Sequence, residues 1–190
     1  HEIDPRSLQY KSGDGYQHSV RGKNLQQAVF LDSTGRSYCL PAHSLPSARG
    51  LGEPLSGRLN PPDGAKFAGV MMGEAEDLWL LATDAGYGFT VRLKELITDR
   101  RAGKTVLTVP KGALVLPPSP VTAPNSLVCV ATNDGRLLVF KIADVPELPK
   151  GKGNKLFNVP ADKAEAREEF LVGAVSVAPD QTLAVFAGER

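Results

Sequence analysis

Three short stretches of this sequence concentrate arginine and lysine around glycine: Arg49-Gly-Leu-Gly52, Arg100-Arg-Ala-Gly-Lys104 and Lys150-Gly-Lys-Gly-Asn-Lys155. Guanidinium and ammonium groups on glycine loops can approach phosphate oxygens closely, and the loop N–H groups can donate to the same oxygens. Lys11, Arg21 and Lys23 near the start, with Arg36, Arg58, Arg92, Arg136 and Lys141 between the loops, complete a set of candidate phosphate contacts. Within the loops the candidates are Arg49, Arg100, Arg101, Lys104, Lys150, Lys152 and Lys155. The 22 basic and 21 acidic residues leave a net charge of only +1, so placement carries the information. Residues 92–104 and 136–155 each hold five basic and two acidic side chains, whereas 73–91 hold four acids and no base. Basic loops lining one edge are the electrostatic footprint of nucleic-acid binding. No recognition helix, zinc finger or aromatic single-strand motif is visible, so the expected mode is sequence-tolerant phosphate contact along bent duplex.

Other chemistries find little support. Gly103-Lys104-Thr105 has the ending of a phosphate-binding loop, but Thr98 stands where that motif needs its first glycine. His43-Ser44 lacks triad partners among three scattered histidines. No His/Cys/Asp cluster has metal-ligand spacing. Cys39 and Cys129 lie in apolar strand-like stretches and read as reduced core thiols of a cytoplasmic protein. No cofactor is expected in this domain, and no run is long and apolar enough to be a membrane span. The competing reading is a propeller-like protein–protein scaffold, with Glu74-Ala-Glu-Asp77 and residues 162–169 offered to a basic partner. Steep salt dependence of DNA binding separates the two.

The elements that must position these loops repeat. Turns recur at Asp32-Ser-Thr-Gly35-Arg, Asp84-Ala-Gly86-Tyr and Asn133-Asp-Gly135-Arg, their glycines 51 and then 49 residues apart. Five positions before each glycine stands Phe30, Leu81 or Val130; five after, Leu40, Val91 or Phe140; ten after, Leu45, Leu96 or Val145. A proline follows at 24–26 positions: Pro61, Pro110 and Pro160. Apolar runs such as 78–83, joined by Asx- and glycine-bearing turns to alternating runs, read as β-hairpins. Strands are expected near 27–31, 36–40, 78–83, 88–93, 105–109, 127–132, 136–141 and 183–187, with further short ones at 114–116 and 170–172. On 88–93, Phe89, Val91 and Leu93 are expected to face inward, with Thr90 and Arg92 outward. Only 162–170 offers a helical alternative, at most one turn. About four strands per 50 residues is the size of a propeller blade. The chain thus divides into a partial blade at 1–26, repeats at about 27–76, 77–125 and 126–178, and a partial blade at 179–190. It reads as an incomplete array from a longer protein.

At these hairpins and loops the sequence resembles a known family. Asp32-Ser-Thr-Gly-Arg-Ser-Tyr38, Leu45-Pro-Ser-Ala-Arg-Gly50, Gly52-Glu-Pro-Leu55, Asp84-Ala-Gly-Tyr-Gly-Phe89, Arg101-Ala-Gly-Lys104 and Lys150-Gly-Lys-Gly-Asn-Lys155 are similar to the C-terminal domain of the A-type subunit of bacterial DNA topoisomerase IV. The likeness runs from about Ile3 to Gly188. It implies a β-pinwheel, all-β and propeller-like, whose neighbouring blades exchange a strand. It also implies double-stranded DNA as ligand, held on a basic outer surface for capture and orientation during decatenation and relaxation. Further implied partners are the remainder of the topoisomerase IV A-type subunit, its B-type ATPase subunit, and one subunit of a bacterial condensin. The implied setting is cytoplasmic and chromosome-associated. ATP and magnesium are implied only for the parent enzyme. Related gyrase domains carry a Gln-Arg-Arg-Gly-Gly-Lys-Gly box; Arg100-Arg-Ala-Gly-Lys104 lacks its leading glutamine and one glycine. That departure argues against strong chiral wrapping. The catalytic tyrosine of such enzymes follows an arginine, and none of Tyr10, Tyr16, Tyr38 and Tyr87 does.

Overall fold

The computed structural model describes residues 8–47, 50 and 52–186. Three antiparallel hairpins organise it: β1 (Gln27–Asp32) with β2 (Arg36–Pro41), β4 (Leu78–Ala82) with β5 (Tyr87–Arg92), and β8 (Leu127–Thr132) with β9 (Leu137–Lys141). Each turn closes on its glycine, whose N–H donates to the carbonyl of Asp32, Thr83 or Thr132 three residues earlier. Those glycines hold φ of +80°, +86° and +87°, which favours a residue without Cβ. In the first turn Asp32 Oδ1 accepts from the Thr34 and Arg36 N–H groups, and Tyr38 donates its hydroxyl to Oδ2 at 2.7 Å. Burial and the neighbouring carboxylate together push the Tyr38 phenol far above its ordinary range.

A third strand returns to each hairpin: β3 (Phe67–Met71) on β1, β7 (Ser119–Val121) on β4 and β11 (Leu171–Val177) on β8. The residue two before each turn glycine locks that return. Ser33, Asp84 and Asn133 donate their N–H to Lys66, Leu114 and Phe170, and their side-chain oxygens accept from the same three residues. The fourth strand comes from the next repeat. β6 (Lys104–Thr105) pairs with β2, and β10 (Asn154–Lys155) pairs with β5. The sheets therefore run β3-β1-β2-β6, β7-β4-β5-β10 and β11-β8-β9. They form an open, propeller-like array, as expected.

Because strand side chains alternate between faces, the first two blades each feed two apolar layers and the third feeds one. Val29 and Leu31 of the first blade pack with Trp79, Leu81, Phe89 and Val91 of the second. Leu80 and Ala82 of the second pack with Val128 and Val130 of the third. Tyr38, Leu40 and Leu59 form a smaller layer on the outer side of the first blade.

Several expectations are corrected. Only 104–105 of the segment near 105–109 forms a ladder, because the Val106 and Leu107 N–H groups both donate to Gly35 O while Thr108 turns to Gly151 O. At 114–116 there is one bridge, Val115 to Thr83, and 183–186 form no strand. Thr90 is buried as fully as Phe89 and Val91, since β5 is covered on both faces. The strands β3 and β7 went unforeseen. Among the described residues helix is limited to 3-10 turns and α1 (Ala161–Glu165), five residues long. Cys39 is half-buried and Cys129 buried, both as free thiols whose pKa burial raises.

Candidate nucleic-acid interface

Strand exchange places the basic loops. The loop Arg100–Lys104 turns tightly, Gly103 N–H donating to Arg100 O at 2.9 Å, and then enters β6 against the preceding blade. Gly103 is buried at φ +71°, where a Cβ would lie 2.6 Å from the Tyr38 ring and 2.9 Å from Ser37 O. Arg101 Nε donates to Arg58 O at 2.8 Å, Arg36 Nη1 to Ala102 O at 3.1 Å, and Lys104 Nζ to Glu95 O at 2.5 Å. Arg58 Nη1 donates to Ser44 O at 2.7 Å and touches Glu53 more loosely at 3.3 Å. Backbone carbonyls orient Arg36, Arg101 and Lys104 without cancelling their charge, whereas Arg58 also pairs with the Glu53 carboxylate. The Arg100 side chain is exposed and without a partner among the described residues. Arg58, Arg100 and Arg101 line an open hollow of about 420 Å³ together with Cys39, Leu40 and Asp99.

The loop Lys150–Lys155 repeats this arrangement one blade on. Gly151 exchanges hydrogen bonds with Val106 and Thr108, and Gly153 lies where a Cβ would meet Gly88 O at 2.0 Å. The Lys152 ammonium sits 4.2 Å from the Tyr87 ring centroid and that of Lys155 sits 5.8 Å from it. A ring face attracts the ammonium while leaving its charge uncancelled. Lys150 is exposed without a partner among the described residues.

The remaining candidates divide. Lys23 pairs with Glu74 at 2.9 Å, and Arg92 grips Glu147 with Nε at 2.8 Å and Nη2 at 3.1 Å. Arg136 engages Asp134 at 2.9 Å and also Glu169. Hydrogen bonds from these cations hold the Glu74 and Glu147 carboxyls below their ordinary range; for Asp134 the Thr132 hydroxyl contributes most and Arg136 next. Lys11 and Lys141 are exposed and unpaired among the described residues, Arg21 is exposed, and Arg49 lies outside the described residues. One cation escaped the sequence reading. Lys66 is exposed, its backbone held by Ser33 at the first hairpin tip, and its ammonium meets no acid among the described residues. Its place directly after the Asp63-Gly64 turn was the available signal. His43 is exposed, and the Ser44 hydroxyl donates to Pro41 O and accepts from Arg58 Nη2. No helix of the described residues is long and apolar enough to cross a membrane.

The family model described as the DNA gyrase C-terminal domain, a β-propeller, matches residues 77–121 and 126–178. The solved C-terminal domain of Escherichia coli ParC superposes with a TM-score of 0.85 at 42% identity, over 93% of this chain and 72% of that one. The chain belongs to the family of C-terminal domains of the gyrase and topoisomerase IV A-type subunits. Across its full length it is 48% identical to the A-type subunit of DNA topoisomerase 4 from Pseudomonas aeruginosa and 45% identical to that from Haemophilus influenzae. It spans 25% of the length of each of these relatives. A second solved topoisomerase IV C-terminal domain, 16% identical with a TM-score of 0.70 over 82% of this chain and 48% of that one, shares the fold.

Proposed function

We propose that this chain binds duplex DNA through the cations gathered at its two strand-exchange joints. The observation that carries this reading is the split in charge pairing. At the two joints Arg36, Arg101 and Lys104 are fixed by carbonyls, Lys152 and Lys155 by a ring, and Arg100 and Lys150 stand free, whereas Arg58 and most cations elsewhere are tied to carboxylates. Fixed, uncancelled cations at one recurring joint suit the phosphate backbone, whose contacts dominate affinity with little dependence on sequence. In the parent polypeptide such a module captures and orients duplex for topoisomerase IV decatenation and relaxation. It works beside the rest of that polypeptide and the enzyme's ATPase subunit, in a cytoplasmic, chromosome-associated setting, and a bacterial condensin supplies a further partner. Family membership supports this wider reading.

A titration of duplex DNA at several salt concentrations tests the proposal. With roughly 6–10 phosphates neutralised, log affinity falls with log salt at a slope of about −5 to −9. Scrambled duplexes of one length bind within a few-fold of each other. Changing Arg100 and Arg101 together to Glu weakens binding and flattens the slope by about two contacts' worth. Lys104 is left alone because it lies in β6 with its ammonium on Glu95 O. A folded double variant that binds as the wild type does overturns the reading in favour of an interaction scaffold.

A further inference from the structure

The second blade departs from the other two in one residue. Directly after the turn glycine stand Arg36 in the first blade and Arg136 in the third, but Tyr87 in the second. Beside Tyr87 opens a hollow of about 220 Å³, more enclosed than the one lined by Arg58 and Arg100. The buried side chains of Ala85, Val159 and Ala164 line its floor, the half-buried Tyr87 ring lines one side, and the exposed Lys152 and Glu165 stand at its mouth. Hydrogen-bonded turns hold this lining in place. Gly86 O accepts from the Leu156 and Phe157 N–H groups, while Val159 N–H donates to Phe157 O and Ala164 N–H to Pro160 O. Lys111 pairs with Glu165, which cancels its charge. Lys152, over the Tyr87 ring, and Lys155, which donates to the neutral Asn158 amide oxygen at 2.8 Å, keep theirs. The Tyr87 hydroxyl has no hydrogen-bond partner among the described residues.

An apolar slot with an aromatic side and uncancelled ammonium groups at its mouth matches a planar ring that carries a nearby negative charge. An apolar cavity of about 150 Å³ takes up a benzene ring, so this one has room for a larger ring with polar edges. We propose that the hollow binds one unpaired nucleotide of DNA, its base in the slot against Tyr87 and its phosphate on Lys152 and Lys155. The site rests on the reading of the joints as a DNA interface, since it adds one base to phosphates that those lysines engage. Contact between ring and base adds affinity without demanding one sequence, because every base has a π-face. The Glu165 carboxylate has lone pairs left to accept from the exocyclic amino group of adenine, cytosine or guanine, which thymine lacks. Extruding a base from intact duplex is costly, and least so where the base is already unpaired. The site therefore favours duplex that is kinked or opened.

Two duplexes of one sequence and length test this, one with a single unpaired adenosine and the other with an abasic residue at that position. Their charge and the break in their stacking are equal, so only the base differs. The wild-type chain binds the adenosine duplex at least about fivefold more tightly, the low end of one contact between base and ring. Ala161 is exposed at the edge of the hollow and lies outside the basic loops. Ala161→Phe fills the hollow and brings both affinities to the value that the wild type shows for the abasic duplex. Equal affinities in the wild type overturn the proposal and leave the duplex reading standing, whereas failure to bind either duplex overturns both. A preference that survives in folded Ala161→Phe also overturns it, because the base then sits elsewhere. Should that variant not fold, 2-aminopurine as the unpaired base decides the matter in the wild type. Bound in the hollow it is shielded from quenching by acrylamide, and quenching as strong as in free DNA overturns the proposal.

Discussion

At the residue scale, an arginine is available to DNA only if its own neighbours leave its charge uncancelled. Arg92 and Arg101 are both arginines near a strand end, yet one faces a carboxylate bidentately and the other a carbonyl. The Arg92 hydrogen bonds hold the Glu147 carboxyl below its ordinary range. A depressed carboxylate contributes stability above its unfolded pKa and loses it as pH falls through the folded value, so the pair is intact at neutral pH and opens only on acidification below the ordinary carboxylate range. Both groups are partly exposed and screened by solvent, so opening the pair affects binding more than folding. Glu147→Gln removes the clamp at neutral pH. If Arg92 faces DNA, the slope of log affinity against log salt steepens by about 0.9, one phosphate contact. An unchanged slope removes Arg92 from the interface. None of this pairing was readable beforehand, because Glu147 lies 55 positions from Arg92 and the contact exists only through blade packing.

At the element scale, the hairpins were legible because turn chemistry and apolar spacing are both local. Asp32, Gly35 and the alternating run after them state the first hairpin within about ten residues. The exchange strands were not legible to the same degree. β6 and β10 are two residues each, and what fixes them is a partner some 70 positions away. The expected strand at 105–109 marked the right segment, but the double acceptance at Gly35 O ends the ladder early. At 183–186 the apolar pattern is present without a neighbouring strand, and pattern alone does not make a strand. The turn glycines carry a testable asymmetry. A Cβ at Gly35 would lie 1.9 Å from Leu107 O and at Gly86 2.4 Å from Phe157 O, while at Gly135 it meets nothing. In the 190-residue chain, Gly135→Ala costs about 1 kcal/mol, the left-handed backbone penalty alone. Gly35→Ala or Gly86→Ala costs more than about 3 kcal/mol, since the exchanged strand must also move. Urea midpoints at constant m-value measure the difference.

For the whole molecule, stability runs along the array as in other repeat proteins, each blade adding its own term and that of its interfaces. The middle blade is covered on both sides, the third on one. Trp79, 5% exposed in the middle blade, is the sole tryptophan and reports on the best-covered part. Its fluorescence therefore changes at a higher urea concentration than the loss of amide protection in 137–141. Coincident transitions would instead mark the array as one cooperative unit.

The 70-residue reach of the exchanged strand also bears on how the protein is made. A hairpin finished early in synthesis cannot be closed until its donor has been translated. At about 5–20 residues per second, that leaves each nascent edge bare for roughly 4–14 s. Throughout that interval the edge can capture the wrong donor, from a neighbouring nascent chain or from an out-of-phase repeat. The near-identical joints at Gly35 and Gly86 make such errors structurally cheap. The folding hazard of this chain is therefore one of timing, set by translation speed and by the crowding of polysomes.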